Sequence, residues 1–521
     1  MITGSGLRTQ QPFQLPAYVT SIPDGSEKGT FLAVDLGGTN CRICSVTLHG
    51  DGTFDVTQDK CAVPFELRVN ENYKPLFAFI ATKLAAFLAS SAKLGHTTQA
   101  AASANTEPYR LGFTFSFACN QTSVAHGTLI HWDKGWDIPD AVGKDPCALL
   151  QEAIDDISLP VRVCVLANDS VGTLLTRSYT SGSSARTLAG VIFGTGTNAA
   201  YVEQRCNITR ISEDANQARG RSADDVMVMN TEWGGLDDDM KVLPKTPYDD
   251  KLDTDSTDTG GQMLEKRVSG LYLGELLRLV ILDLSGKGTL SLLLDTESPV
   301  HVREGVDSSF LSALAQYDDT TDLQQTRGLI AETLAARDVS LEDAQIIRRS
   351  AAAIVRRAAR LAGTALAAVI IQSDRLPTKE AHARASESST VVEELSVREG
   401  KSIRDLLFNF CNALSLFTRK VLRAVGISRW HSDPASTPAK HGVAPDRQDS
   451  NASPDSEMVD IGVDGSLIEF YPGFEDAMRE ALREVVEIGP EGERRIRIGL
   501  AKDGSGVGAA LMAQAVGIDN E

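Results

Sequence analysis

Residues 162–172 read Arg-Val-Cys-Val-Leu-Ala-Asn-Asp-Ser-Val-Gly. The apolar run ends in Asn168 and Asp169, and helix-compatible sequence follows it, which predicts a buried strand that delivers a carboxylate at its carboxyl end. Open α/β sheets bind their ligands at that end of their strands. Asp169 also occupies a position typical of a helix N-cap, so a capping role and a functional role both remain open for it from this stretch alone.

The length and composition limit the class of protein. A chain of 521 residues is too long for one hydrophobic core and is expected to form two or more domains. Its formal charge of −19 argues against binding of nucleic acid or of an anionic membrane surface, because like charges repel. Arginines interrupt the apolar stretch 351–373, and residues 1–30 carry no signal-like apolar core, so we expect no membrane span and a cytoplasmic protein.

The eight cysteines lie mostly in apolar runs and are expected to be reduced. Cys41 and Cys44 form a Cys-x-x-Cys motif on a predicted strand. Their odd spacing places the two sulfurs on opposite faces, which argues against a zinc or redox site.

Two glycine-rich hairpins are predicted in different parts of the chain. The first joins the strand-like run 31–35 to the run 41–48 through Gly37, Gly38 and Thr39, and its tip is either an ordinary turn or an anion-binding nest. The second follows the run 189–193. The tripeptide Gly-Thr-Asn occurs in both, at 38–40 and 196–198, which predicts a duplicated α/β unit that holds a nucleotide phosphate chain between its halves.

A third glycine cluster, at 503–508, opens a helix-like run and is either a flexible helix start or a nucleotide site. No strand–helix–strand unit follows it, and the chain has no Gly-x4-Gly-Lys-Ser/Thr motif, so neither a Rossmann nor a Walker-type site is expected.

Polar residues end several predicted strands or open helices, among them Glu232, Gln262 and Glu265. Carboxylates and amides suit a polyhydroxyl ligand because each sugar hydroxyl both donates and accepts a hydrogen bond. Further along, residues 342–373 are predicted to form a helix or helix pair, with Arg348, Arg349, Arg356 and Arg357 on its solvated face.

Residues 374–458 do not fit the regular pattern and are interpreted as a partly disordered insertion. One amphipathic stretch within it is interpreted as a docked extra helix or as a site for a protein partner.

Taken together, the motifs resemble the eukaryotic, and particularly the fungal, hexokinase and glucokinase family. The resemblance runs from about residue 15 to 516 outside the insertion and rests on segments 15–29, 34–40, 111–117, 166–169, 193–199, 230–234, 241–249, 270–275, 357–361 and 503–511.

The resemblance implies an α/β, actin-like ATPase fold, a duplicated ribonuclease H-like unit with two lobes around a cleft. Residues 1–185 would form the N-terminal small lobe, and residues 186–521 the C-terminal large lobe with the insertion. The implied activity is transfer of the γ-phosphoryl group of ATP, as its Mg²⁺ complex, to the 6-hydroxyl of a hexose such as glucose, the first step of glycolysis.

The resemblance also implies a role for each matching residue. Asp169 would be the general base and Lys134 a second catalytic residue. The expected sugar-binding residues are Ser116, Asp133, Lys134, Asn168, Asp169, Asn198, Glu232, Gln262 and Glu265. The expected ATP-binding residues are Asp35, Gly37, Gly38, Thr39, Asn40, Arg42, Gly194, Thr195, Gly196, Asp503, Gly504, Ser505 and Gly506. No direct protein ligand to a metal is expected, although Asp35 could reach Mg²⁺ through a water.

The chain departs from the family pattern at two positions near the expected sugar site. Asp133 stands where the family usually has Thr and adds negative charge beside Asp169 and Lys134. Ala118 replaces a usual Pro. With the insertion and the short ends, these departures leave a second hypothesis open, a glucose sensor with weak or no catalysis.

Overall fold

The computed structural model describes residues 13–93, 108–132, 135–182, 186–208, 210–211, 225–317, 323–376 and 458–518. The predicted insertion, apart from its edges, lies outside these residues, as do Asp133 and Lys134. Among the helices of the described residues, none is both long and apolar enough to cross a membrane.

The first half of the chain forms a five-stranded sheet. Its strands are β1 (Lys28–Gly37), β2 (Asn40–His49), β3 (Phe54–Ala62), β4 (Tyr109–Phe115) and β5 (Val161–Ala167). They lie in the order β3-β2-β1-β4-β5, with β1 antiparallel to β2 and parallel to β4. The predicted first hairpin is confirmed, because Gly37 pairs with Asn40 across the turn.

The second half repeats this arrangement. Its strands are β6 (Thr187–Phe193), β7 (Thr197–Gln204), β8 (Val226–Asn230), β9 (Val459–Asp464) and β10 (Ile496–Leu500). They lie in the order β8-β7-β6-β9-β10, with β6 antiparallel to β7 and parallel to β9, and the short strand Leu15–Pro16 extends the β8 edge. Strand order and direction therefore match between the two sheets, and the predicted duplication is confirmed.

Helices cover both sheets. The longer ones are α1 (Lys74–Lys93), α2 (Pro146–Asp156), α3 (Asp169–Ser181), α4 (Gly270–Gly286), α5 (Leu341–Gln372), α6 (Phe474–Glu484) and α7 (Gly504–Ile518). Shorter helices span Phe65–Arg68, Pro247–Asp255, Glu265–Val268, Ser308–Ala315, Leu323–Thr333, Ser466–Phe470 and Gly489–Arg494.

Helix α5 is one continuous helix rather than a pair. It begins with a capping box in which the Ser340 hydroxyl accepts from the Asp343 backbone N–H. The four arginines predicted for its solvated face do not all lie there, and that prediction is wrong for Arg357. The Arg357 guanidinium forms a bidentate ion pair, at 2.8 and 2.9 Å, with the buried carboxylate of Asp249.

The two cysteines of the Cys-x-x-Cys motif lie on opposite faces of β2, as predicted. Cys41 packs in the hydrophobic core of the first sheet, whereas Cys44 packs in a separate core between the two sheets. Burial raises the pKa of both thiols, that of Cys44 to about 12, which keeps them protonated.

Helices α3 and α7 cross in the core between the sheets. Each follows the last strand of one sheet, and each packs on the other sheet, so α3 contacts β6 and β9 while α7 contacts β1 and β4. Their backbones meet at Gly172 and Gly508, where a Cβ on Gly508 would lie 2.1 Å from the Gly172 Cα. Only glycine at both positions permits this approach, because the obstructing atoms are backbone.

We predict that Gly508→Ala lowers the free energy of unfolding by about 1–3 kcal/mol, because the new methyl group must push two buried helices apart. Urea denaturation of both proteins measures the change. Gly328→Ala is the matched control, since Gly328 lies in helix Leu323–Thr333 and its Cβ would meet no atom within 4 Å. There the same substitution is expected to stabilise by about 0.5–1 kcal/mol, and equal effects at both sites would contradict the crossing argument.

Candidate functional site

A cavity of about 400 Å³ lies between the two sheets, at the carboxyl ends of their parallel strands. Its lining residues are Asp35, Gly37, Gly38, Thr39, Asn40, Arg42, Lys60, Ser116, Phe117, Ala118, Asn168, Asp169, Ile192, Thr195, Gly196, Thr197, Asn198, Glu232, Gln262, Glu265, Leu271 and Ser505. The volume suits a small-molecule ligand.

Asn168, and not Asp169, caps helix α3. The Asn168 side-chain oxygen accepts from the Ser170 backbone N–H at 2.9 Å and from its hydroxyl at 2.6 Å. Asp169 is the first residue of the helix, where its Oδ1 accepts from the Ser170 N–H at 2.8 Å. Its Oδ2 has no hydrogen-bond partner among the described residues. The capping interpretation of Asp169 is therefore wrong, and Asp169 lines the cavity.

A chain of amides connects the two halves of the site. The Asn198 amide nitrogen donates to Asn230 Oδ1 at 2.8 Å, and its distances to oxygens of Asn168 and Glu232 are both 3.4 Å. The Asn230 amide nitrogen in turn donates to Glu232 Oε1 at 2.7 Å. This network fixes Asn168 on one sheet relative to Glu232 on the other. Asn230 was not predicted as a site residue, and only the folded network identifies it.

Two residues of the predicted sugar site have left-handed backbone conformations, Glu232 with φ of 48° and Gln262 with φ of 54°. For residues other than glycine this conformation costs about 1–3 kcal/mol and is most often kept at ligand sites. Both side chains line the cavity.

Glu265 is oriented by the second hairpin. Its Oε2 accepts from the Thr197 backbone N–H at 2.9 Å, while the Thr197 hydroxyl accepts from the Trp233 indole N–H at 3.0 Å. Trp233 is fully buried, so this contact ties the Glu265 carboxylate to the core of the second sheet.

Ser116 and Ala118 lie at the cavity end of β4, and both are buried. A Cβ on Gly37 would lie 3.0 Å from the Ser116 hydroxyl, so the hairpin tip packs directly on this serine. Ala118 accepts from the Ile130 backbone N–H at 2.9 Å. The segment is therefore held in place without the proline.

Charged groups surround the first hairpin. The guanidinium of Arg42 lies 4.0 Å from Asp35 Oδ2 and 3.3 Å from Asp503 Oδ1. Lys60, which sequence reasoning missed, pairs with Arg42 across β2 and β3 and also lines the cavity. Burial raises the pKa of the neighbouring Asp464, and the carboxylates of Asp169 and Asp503 add to the effect. Lys60 could have been identified only from the pairing register of β2 and β3, which a local sequence motif does not determine.

Four of the predicted ATP-binding residues do not line the cavity: Gly194, Asp503, Gly504 and Gly506. Gly504 is buried at the start of α7, where its carbonyl accepts from Thr176. Gly506 packs near Cys44. Ser505 does line the cavity. Nucleotide contacts by this cluster remain a prediction.

Comparison with known proteins covers nearly the whole chain. Two sequence models, both described as hexokinase, match residues 3–179 and residues 188–415 with 434–515. A glucokinase of Aspergillus niger is 40% identical over 96% of this chain and 88% of its own length. Glucokinase-1 of Saccharomyces cerevisiae is 36% identical over 96% of this chain and 87% of its own.

Solved structures give the same result. A Schistosoma mansoni hexokinase in complex with glucose matches with a TM-score of 0.68 at 28% identity, covering 97% of this chain and 89% of that one. A second solved hexokinase matches with a TM-score of 0.67 at 25% identity, covering 98% and 91%. The two-lobed, duplicated fold predicted from the sequence is confirmed.

We predict that Asn230→Ala lowers the free energy of unfolding by about 1–3 kcal/mol, because the amide of Asn198 and the carboxylate of Glu232 lose a buried partner. Chemical denaturation measures this loss. Asn120→Ala serves as the control, since Asn120 is exposed on the short strand Cys119–Gln121, and we expect a change within about 0.5 kcal/mol there. Equal stabilities of wild type and Asn230→Ala would contradict the network's role.

Proposed function

The chain belongs to the hexokinase family, and we propose that it is a member whose preferred substrate is glucose. It transfers the γ-phosphoryl group of ATP to the 6-hydroxyl of a hexose. The preference for glucose is supported by the glucokinases among its relatives and by the related hexokinase solved with glucose.

The observation that carries the proposal is the position of Asp169. It lines the same cavity as the amide and carboxylate residues of the second half of the chain and the glycine hairpin of the first. We assign it as the general base. As the sugar 6-oxygen attacks the γ-phosphorus, its proton passes to Asp169 and the bond to the β–γ bridging oxygen breaks, releasing ADP.

The sugar would be held by residues that can both donate to and accept from its hydroxyl groups. The described residues assigned to it are Ser116, Asn168, Asn198, Glu232, Gln262 and Glu265. Glu232 and Glu265 accept, and the amides do both, so their combination favours a polyhydroxyl ligand over an apolar one. Asp133 and Lys134 remain assigned to this site by resemblance alone.

The phosphates would be held by the two hairpins. Residues Gly37–Asn40 and Thr195–Gly196 line the cavity, with Arg42 and Lys60 among the other lining residues, and their backbone N–H groups would bind the phosphate oxygens. Unlike the general base Asp169, such groups neutralise the charge that develops on the phosphate oxygens without accepting a proton or forming a covalent bond.

The residues present fit a Mg²⁺ ion that arrives with ATP. Among the described residues no group of three or more His, Cys, Asp or Glu side chains is arranged to hold a metal, and Mg²⁺ commonly uses one or two carboxylates and substrate phosphates instead. Asp35 is the carboxylate that would hold it through water. When bound, Mg²⁺ supplies positive charge to the phosphates.

We also propose the division into a small lobe, 1–185, and a large lobe, 186–521. It is supported by the separate sheets and by the two matched sequence models. Closure of the lobes would exclude water, which would otherwise compete with the sugar as phosphoryl acceptor. A protein partner for residues 374–458 stays a prediction.

Substitution of the base is the direct test. We predict that Asp169→Asn lowers glucose-dependent ADP release by about 10²–10⁴-fold, because the neutral amide cannot accept the proton, while calorimetry still detects glucose binding. Asp156→Asn, at an exposed acid that ends α2, is expected to leave turnover unchanged. Turnover within tenfold of wild type in Asp169→Asn would overturn the assignment.

The replacement of the usual family threonine by Asp133 leads to a separate prediction. By the resemblance, Asp133 adds a negative charge near the incoming phosphates, so Asp133→Thr should raise kcat by about tenfold for each 1.4 kcal/mol of repulsion removed. Steady-state assays of both proteins test this. Unchanged turnover would show that the charge argument is wrong, and glucose binding without turnover in the wild type would support the sensor hypothesis instead.

A further inference from the structure

Three consecutive aspartates follow the short helical turn Trp233–Gly235, and each has a different role. The Asp237 carboxylate accepts backbone N–H groups of its own loop, at 2.9 Å from Lys241 and 2.7 Å from Val242. Asp239 is exposed and pairs with the Lys241 side chain. Asp238 alone faces another segment of the chain, the turn that carries Gln262.

Asp238 holds that turn through the backbone. Its Oδ1 accepts from the Met263 N–H at 3.0 Å, and the N–H of Gln262 lies close enough to favour the charged carboxylate further. Gln262 has a left-handed backbone, with φ of 54°, so the turn needs an external contact to stay in this conformation.

A second contact joins the same two loops. The Leu264 N–H donates to the Gly234 carbonyl at 3.0 Å. A Cβ on Gly234 would lie 2.3 Å from Gln262 Oε1 and 3.2 Å from the Cβ of Glu265, so both side chains lie directly over this glycine. The loop of Glu232 and the turn of Gln262 and Glu265 therefore form one unit.

We propose that Asp238 is a positioning residue for sugar binding, which sets Gln262 and Glu265 against the cleft by accepting the backbone N–H groups at the start of their turn. Asp238 does not line the cavity. The proposal rests on the assignment of Gln262 and Glu265 to the sugar.

The charge of Asp238 is kept at an electrostatic cost. Burial, with the carboxylate of Asp258, raises its pKa to about 6, although the backbone N–H groups and the ammonium of Lys266 act in the opposite direction. Lys266 is itself buried and paired with Asp253 at 2.7 Å. Two further carboxylates, those of Asp237 and Asp239, flank Asp238 in the sequence.

The sign of the pH effect follows from this raised pKa. Above pH 7 the carboxylate is charged and accepts the Met263 N–H, and the nearby Gln262 N–H also favours its charge. As the pH falls through about 6, Asp238 is protonated, its acceptor strength falls, and the turn loses its restraint. Sugar affinity should therefore weaken in a range where ordinary aspartates remain charged.

The test measures glucose binding to the full chain by calorimetry, without ATP, at pH 7.5 and pH 5.5. For wild type we expect weaker binding at the lower pH. For Asp238→Ala we expect about tenfold weaker binding at pH 7.5, no further loss at pH 5.5, and a KM for ATP within twofold of wild type. Asp238→Asn, which keeps one acceptor oxygen, should be intermediate and also independent of pH.

Asp239→Asn is the matched control, because it removes the same charge one residue away at the surface, and its binding should follow the wild-type pH dependence. Wild-type affinity in Asp238→Ala, or a pH dependence unchanged in Asp238→Asn, would overturn the proposal. So would an equal rise in the KM of both substrates, the result of a general structural defect. If Asp238→Ala does not fold, Asp238→Asn decides. Absence of glucose binding in the wild type would instead refute the proposed function.

Discussion

The site depends on the backbone contact between Gly172 on α3 and Gly508 on α7. Each helix begins at the carboxyl end of one sheet and packs on the other, so the contact fixes the two sheets relative to each other. The starts of both helices also supply lining residues, Asp169 on α3 and Ser505 on α7. A change in the crossing distance would therefore move a carboxylate and a helix start within the same cavity.

The sequence predicted the parts of the fold that local patterns determine. The hairpins at 37–40 and 194–197 and the strand end at Asn168 follow from glycine placement and from apolar runs, which act over a few residues. The capping role considered for Asp169 belongs to Asn168, one residue earlier, because Asn and Asp both cap well and only the folded geometry distinguishes them. Asn230, Lys60 and Asp238 could not be found, since their roles arise from register and from contacts between distant loops.

The electrostatics of the cleft explain why a chain of net charge −19 can still hold a polyphosphate. Arg42 lies between Asp35 and Asp503, and Lys60 lies beside it in the sheet. Arg42 and Lys60 thus bring two positive charges to the hairpin, where the carboxylates of Asp35 and Asp503 offset part of them. Glu232 follows β8, and Glu265 begins a short helix in the second half of the chain. On the proposed assignment, phosphates held at the hairpins and a sugar held by Glu232 and Glu265 would both lie in the cavity that Asp169 lines, the proximity that transfer between them requires.

Two kinds of unfavourable feature lie at this cavity or directly behind it. Glu232 and Gln262, which line it, have left-handed backbones, and Asp238, which does not line it, keeps a charge that its surroundings disfavour. Stability alone would favour glycine or asparagine at the strained positions and a neutral group in place of Asp238. Left-handed residues also occur where no cavity is lined, as at Ser158 and Glu304, so backbone strain alone does not mark the site. At Gln262, however, a left-handed backbone, the hydrogen bond from the following residue to Asp238 and a cavity-lining side chain coincide. This coincidence indicates that the rigid placement of the Gln262 side chain is what the costs maintain.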